Sequence, residues 1–315
     1  MVEMDLGAVR AVLVDPNHSV RQLIRSALIS VGITDVIPCR HVDEIHDIFE
    51  EPERDIDLIL LGIDGERDDA VAAVRDIRNQ RLGENPFLVV MTMTWNPEWN
   101  IARPTLEAGT DDLIAAPLTT QILMDRIGNL VVNRKDFVVT MDYVGPERRS
   151  ATRSGPHDLP GIKVPNSLRY KAIHDETANA TPRAIRHAMR TVHTHRVYRI
   201  ANRFASEIHG LEDMVSRHPG TPIEGRKIRE VAVLAAMVKQ YIDAENLTQL
   251  SRIGDSMSDV MDAVSHIPNP SLRHLEILRL HGHAVAASIQ EHDEAAGLLA
   301  TALDRAADLV KRAVH

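Results

Sequence analysis

The stretch Asp57-Leu58-Ile59-Leu60-Leu61-Gly62-Ile63-Asp64 decides the fold. Four consecutive apolar residues follow one acid and run into a glycine and a second acid. A short continuous apolar run of this kind is buried on both faces, as strands of a parallel sheet are. Outward from it, similar runs recur at residues 11–14, 36–39, 88–92 and 113–115. Helical patterns lie between and after them, at 19–30, 42–50, 68–79, 99–108 and 119–132. In the first helix, Val20, Leu23, Ile24, Ala27, Leu28 and Val31 have the spacing of one buried face, and Gly32 follows as a C-cap. Five strands alternating with five helices imply an α/β domain. Its sheet is five-stranded, parallel and doubly wound, with ligands at the carboxyl ends of the strands.

The chain has 315 residues, 44% hydrophobic and 26% charged, enough for two packed domains. Residues 1–140 hold 24 acidic and 13 basic side chains, a net of −11; residues 141–315 hold 21 and 23, a net of +2. Neither half is basic enough overall to announce a nucleic-acid binder. No apolar run approaches the ~20 residues needed to span a bilayer, and Met1-Val2-Glu3-Met4-Asp5 is acidic, unlike a secretory signal. A single cysteine, Cys39, forms no internal disulfide, so the expected location is cytoplasmic.

Near Asp142 the alternation stops. Gly145-Pro146-Glu147-Arg148-Arg149-Ser150 and the residues to Pro165 are rich in Pro, Gly and Ser and read as a linker. Helical patterns then cover 167–179, 182–216, 225–267 (with a break near Asn246 or Gly254) and 271–313 (with a break near His292). The expected organisation is an α/β domain at 1–140, a linker at 141–166 and an all-α helical bundle at 167–315.

Spaced features in residues 8–135 resemble a response-regulator receiver domain. Val12-Leu13-Val14-Asp15-Pro16-Asn17 resembles the first strand and acidic loop; Asn85 to Thr94 is similar to the fourth strand and its hydroxyl switch; Ala108 to Pro117 looks like the fifth strand and its Lys-Pro corner. The resemblance implies a flavodoxin-like fold. It also implies a phospho-accepting Asp where this chain has Gly62, a second metal-binding acid at Pro16, a lysine at Ala116 and a switch aromatic at Leu113. Asp15, Thr94 and Pro117 match. Tyr143 to Arg149 resembles tails that follow receivers in bacterial signalling proteins.

Phosphoryl transfer to a carboxylate needs a nucleophile, a divalent cation and groups that hold the transferred oxygens. Gly62 offers no side-chain oxygen, Pro16 removes a carboxylate and Ala116 removes a positive charge. The pocket of Asp15, Pro16, Gly62, Asp64, Thr94, Ala116 and Pro117 is therefore expected to be degenerate and non-catalytic. No cofactor is expected; Asp15 with Asp64 is the one pair that could hold Mg²⁺, and a solvated acidic loop is the ordinary reading.

Among the sixteen histidines, His187, His193 and His195, and His281 with His283, lack metal-ligand spacing on one helix face and read as solvated. His283-Ala284-Val285-Ala286-Ala287-Ser288 faintly resembles a histidine phosphotransfer helix but lacks its lysine and glycine. Arg183, Arg186, Arg190, Arg196, Arg199 and Arg203 fall in a window free of acids from Thr181 to Ser206. Such a basic amphipathic helix serves domain or dimer packing or, alternatively, binds nucleic acid. The expectation is a bacterial-type atypical response regulator without enzymatic activity. It would act by phosphorylation-independent contacts with signalling proteins, a second copy of itself among the partners considered, and residues 99–132 would form its docking face. The alternatives are a transcriptional regulator using the arginine helix and a phosphorelay component with an unusual acceptor.

Overall fold

The structure, a computed structural model, describes residues 4–51, 55–63, 69–96, 98–148, 159–220, 222–244, 247–267, 269–290, 298 and 301–306. Its residues form two compact units, 1–189 and 190–315.

In the first unit, strands β1 (Arg10–Val14), β2 (Asp35–Cys39), β3 (Leu58–Gly62), β4 (Val89–Thr94) and β5 (Asp112–Ala115) form one parallel sheet of order β2-β1-β3-β4-β5. This is the doubly wound order, whose crevice opens beside β1 and β3 at their carboxyl ends. Pro38 is tolerated in β2 because that strand lies at the edge. Helices α1 (His18–Ser30), α2 (Glu44–Glu50), α3 (Asp69–Arg78), α4 (Trp99–Ala108) and α5 (Thr120–Val132) cover the sheet. One face packs α1 and α5 through Ile24, Leu28, Leu123 and Ile127; the other packs α2 and α3 through Ile45, Ile48, Val74 and Ile77. Local chemistry starts the helices where it should. Asn17 accepts the Ser19 and Val20 amides at 2.9 and 3.4 Å, and Thr119 accepts that of Ile122 at 3.2 Å. Leu23 departs from its expected place: it is 52% exposed, because the face toward the sheet is made by Val20, Ile24, Ala27, Leu28 and Val31.

The α/β unit does not end near residue 140. Strands β6 (Phe137–Val139) and β7 (Val144–Pro146) form an antiparallel hairpin, and Phe137 also bridges Ile162. Part of the expected linker is therefore folded structure; residues 149–158 within it lie outside the described set. Next, α6 (Ser167–Ile173) buries Leu168 and Ala172 in the same core as α1 and α5. Arg169 donates to the Val131 and Val132 carbonyls at 3.1 Å, and Asn166 Nδ2 to that of Leu130 at 3.0 Å, satisfying the open end of α5. Lys171 pairs with the buried Asp57 at 2.7 Å. Residue 167 thus begins a helix of the first unit and not a separate bundle, since its apolar face belongs to the α/β core. The unit boundary falls inside α7 (Pro182–Arg217), after Met189.

A buried charge cluster fastens the hairpin. Asp111 Oδ2 accepts from Arg78 Nη2 at 2.8 Å, Val90 N at 2.8 Å and Arg134 Nη2 at 3.1 Å, while Oδ1 accepts from Arg134 Nε at 2.8 Å. Arg78 also donates to the carbonyls of Gly109, Pro86 and Leu88 at 2.7–2.8 Å. Both guanidinium groups lie over the Phe137 ring, at 5.2 and 5.0 Å from its centre. Burial pulls the Arg78 guanidinium down to about 10, offset by Asp111. Burial works to raise the Asp111 carboxyl, but the charges of Arg134 and Arg78 outweigh it and hold the group below its usual value. Gly109, with φ of +102°, lets Val144 O approach to 2.5 Å of where a Cβ would be.

The described part of the second unit is helical: the rest of α7, α8 (Gly225–Ala244), α9 (Thr248–Ser265), α10 (Leu272–Gln290) and residues 301–306. The break near Asn246 is present between α8 and α9, whereas Gly254 stays inside α9; His292 lies outside the described residues. Gly282 allows α10 to approach α7, since a Cβ there would stand 2.9 Å from Ala201 O. Two histidines are buried, not solvated: His195 at 9% exposure and His281 at 0%. His281 Nδ1 lies 2.7 Å from Ile277 O, which can only accept, so Nε2 accepts from the Ser256 hydroxyl at 3.0 Å. No helix among the described residues is long and apolar enough to cross a membrane.

Asp111→Ala leaves two buried guanidinium groups without their carboxylate. The expected loss is about 3–5 kcal/mol of unfolding free energy by urea denaturation, far above a surface ion-pair change. Burial and the neighbouring Arg199 depress His195 from 6.5 to about 4. The unfolded chain therefore binds the extra proton first. The contribution of His195, up to about 3 kcal/mol, is present above 6.5 and is lost as pH falls through about 4. His195→Gln should flatten stability over that window in denaturation curves taken at successive pH values.

Candidate functional site

Four adjacent strands deliver the pocket residues singled out in the sequence. Asp15 follows β1, Gly62 ends β3, Thr94 ends β4 and Ala116 follows β5. The registers Val14↔Leu61, Gly62↔Met93 and Thr94↔Ala115 bring them to one edge of the sheet. The Asp15 amide donates to Cys39 O at 3.2 Å, and its carbonyl accepts from Arg21 Nη1 at 2.5 Å. The carboxylate Oδ1 accepts from Asn17 N at 2.8 Å. Its Oδ2 lies over Gly62, only 2.3 Å from where a Cβ on that residue would sit.

The Asp15 carboxylate occupies the space into which a side chain at 62 would grow, so a larger residue there requires the end of the Asp15 side chain to swing aside. Gly62 is here a packing partner of Asp15, and its backbone φ needs no glycine. The Thr94 hydroxyl, 1% exposed, donates to Asn96 O at 2.9 Å and accepts from Asn96 N at 3.0 Å, shaping the loop after β4. Pro16 is exposed, and the Ala116-Pro117 bond is cis. Asp64 lies outside the described residues, so the Asp15 and Asp64 pair considered for Mg²⁺ has no geometry here. Asp15 is the carboxylate that the described pocket offers a cation, against the one or two carboxylates such ions usually take. Cys39 supplies no substitute nucleophile: burial, with Glu44, pushes its thiol up to about 11, so it stays protonated.

The six arginines of α7 divide. Arg196 donates to the Tyr241 hydroxyl at 3.0 Å and lies over its ring; Arg199 lies over Tyr198; Arg203 pairs with Glu207 at 2.5 Å. Arg183, Arg186 and Arg190 are exposed. The helix is therefore not one uniformly basic surface. His283 is exposed; on α7, Glu212 is held by Arg279 of α10 at 2.8 Å and by His209 at 3.3 Å. Among the described residues no group of three or more His, Cys, Asp or Glu side chains is placed to hold a metal ion. In the region 99–132, Trp99 is 67% exposed and Ile122 38%, with Trp95 beside them in sequence at 52%.

Sequence reading missed the Arg78, Asp111, Arg134 and Phe137 cluster. Its signal was present as two arginines outside any charge pattern and an aromatic just before the expected domain end.

No protein-family model and no curated protein matches the chain. Among solved structures, the Vibrio cholerae chemotaxis protein CheY4 is 18% identical over 39% of this chain and 98% of its own, with a TM-score of 0.33. A response regulator from Thermotoga maritima is 20% identical over 39% and 97%, with a TM-score of 0.34. The receiver domain of a sensor histidine kinase from Pseudomonas aeruginosa, solved with a magnesium ion in its active-site cleft, is 25% identical over 39% and 96%, with a TM-score of 0.33. On its strand order and helix placement, the N-terminal part of the chain has the flavodoxin-like fold of response-regulator receiver domains, and a helical region of unassigned family follows.

Proposed function

We propose that this chain is an atypical response regulator that carries a signal by protein contact without being phosphorylated on its receiver. The observation that carries the reading is Gly62 at the carboxyl end of β3, which offers no nucleophile where the Asp15 carboxylate now lies over its Cα. A retained fold without a nucleophile at 62 leaves surfaces as its working parts. Exposed Trp99, with Ile122 also at the surface, supports the region 99–132 as a docking face, because tryptophan is enriched among the few residues that carry most binding energy at interfaces. The helical region is read as a second interaction module without enzymatic activity. Its arginine helix is a weaker candidate for nucleic acid than its composition suggests, with Arg196 and Arg199 engaged by tyrosines and Arg203 paired with Glu207 on the surface.

Acetyl phosphate with Mg²⁺ should leave the intact mass unchanged. A gain of one phosphoryl group that disappears in Asp64→Ala would sink the reading and restore the relay alternative.

Gly62→Asp alone should stay unphosphorylated, because the second acid and the lysine are still missing, and be less stable, because it turns the Asp15 carboxylate aside and sets a second carboxylate against it. Adding Pro16→Asp and Ala116→Lys supplies cation ligands and a countercharge, so the triple variant should label measurably better. Efficient labelling of the single variant would show that the missing acid and lysine do not control the site.

A further inference from the structure

Three arginines on the first turns of α7 stand out from the other basic residues around them. Arg169 pairs with Asp175, Arg203 with Glu207 and Arg217 with Asp213, while Arg196 reaches Tyr241. Arg183, Arg186 and Arg190 are exposed and make no side-chain hydrogen bond or ion pair with a described residue. Their spacing of three and then four residues places them on one helix face, over about 10 Å at 1.5 Å per residue.

A matching acidic face exists in the same chain. Asp43 precedes α2 with helical backbone angles, φ −57° and ψ −31°, and Asp47 and Glu50 follow at four and then three residues. All three are exposed and likewise make no side-chain hydrogen bond or ion pair with a described residue. Glu44 is excluded from the set, since it accepts the amides of Arg40 and His41 at 2.8 and 2.9 Å. Read in opposite directions, the two spacings coincide: 190, 186 and 183 against 43, 47 and 50. Two helices laid antiparallel would bring three guanidinium groups against three carboxylates in register. The bidentate fork of arginine suits that partner.

We propose that the Arg183, Arg186 and Arg190 face docks the Asp43, Asp47 and Glu50 face of a second copy of this chain. In a twofold arrangement each copy would give its basic face to one contact and its acidic face to the other, which would close the dimer. Exposed charge pairs are individually weak and screened by salt, so the dimer is weak and ionic. Exposed Arg40 and His46 flank the acidic face and limit its field without interrupting its spacing. The proposal rests on the reading of this protein as an interaction module. The mass-spectrometric test of phosphorylation and the test of self-association read different events, so either can fail alone.

Sedimentation velocity on the full chain at about 20 mM and about 500 mM NaCl tests it, since the screening length shrinks several-fold between them. The wild type should associate at low salt, with its association constant falling at least roughly tenfold at high salt. Arg186→Glu with Arg190→Glu should be monomeric, and so should Asp47→Arg with Glu50→Arg. Mixed one to one, the two variants should form a heterodimer, because each now carries what the other lacks; recovery on mixing also shows that both are folded. A monomeric wild type at low salt overturns the proposal, as does association that survives both charge reversals or a mixture that stays monomeric. Fluorescence anisotropy with a labelled DNA duplex supplies the other outcome. Tight, steeply salt-dependent binding lost in Arg186→Glu with Arg190→Glu would assign the face to nucleic acid instead.

Discussion

The first unit depends on one buried carboxylate. Asp111 is wholly enclosed and receives both guanidinium groups and the Val90 amide. Removing charges from water is expensive, and the arrangement survives because nearly every lone pair and N–H around it is used. Arg78 spends its remaining donors on Gly109, Pro86 and Leu88, so the ion pair doubles as the clasp of three loops. Arg134 and Phe137 extend it past the last helix, and from there β6, β7 and α6 join the core.

That clasp lies at the amino-terminal edge of the strands, whereas Asp15, Gly62 and Thr94 lie at the carboxyl edge. Stability and chemistry are therefore spatially divided. Substitutions at the pocket edge need not loosen the sheet, since the residues that brace the sheet are elsewhere.

The strands were legible because buried parallel strands are written as apolar runs, as in Leu58–Leu61 and Val89–Thr94. Gly62 and Ala116 were legible as departures because neighbouring landmarks fixed their positions. What sequence hid was long-range pairing. Asp111 reads locally as one of two acids before a strand, and nothing nearby announces Arg78, thirty-three residues earlier. Leu23 fitted a helical period but falls on its outer margin. The arginine helix misled for a local reason: Glu207, which pairs with Arg203, stands one residue beyond the acid-free window. Tyr241, which engages Arg196, is distant in sequence and invisible to any window.

The contact between Asp15 and Gly62 also bears on the rest of the pocket. Asp15 keeps its amide and carbonyl bonds to Cys39 and Arg21, and its carboxylate turns inward over bare Cα. A carboxylate restored at 62 would displace the Asp15 carboxylate and meet its like charge, while an acid in place of exposed Pro16 would crowd the same charge further. Each added acid raises the negative charge that a cation or a lysine at 116 would have to balance, so the charges of these positions are coupled and not independent.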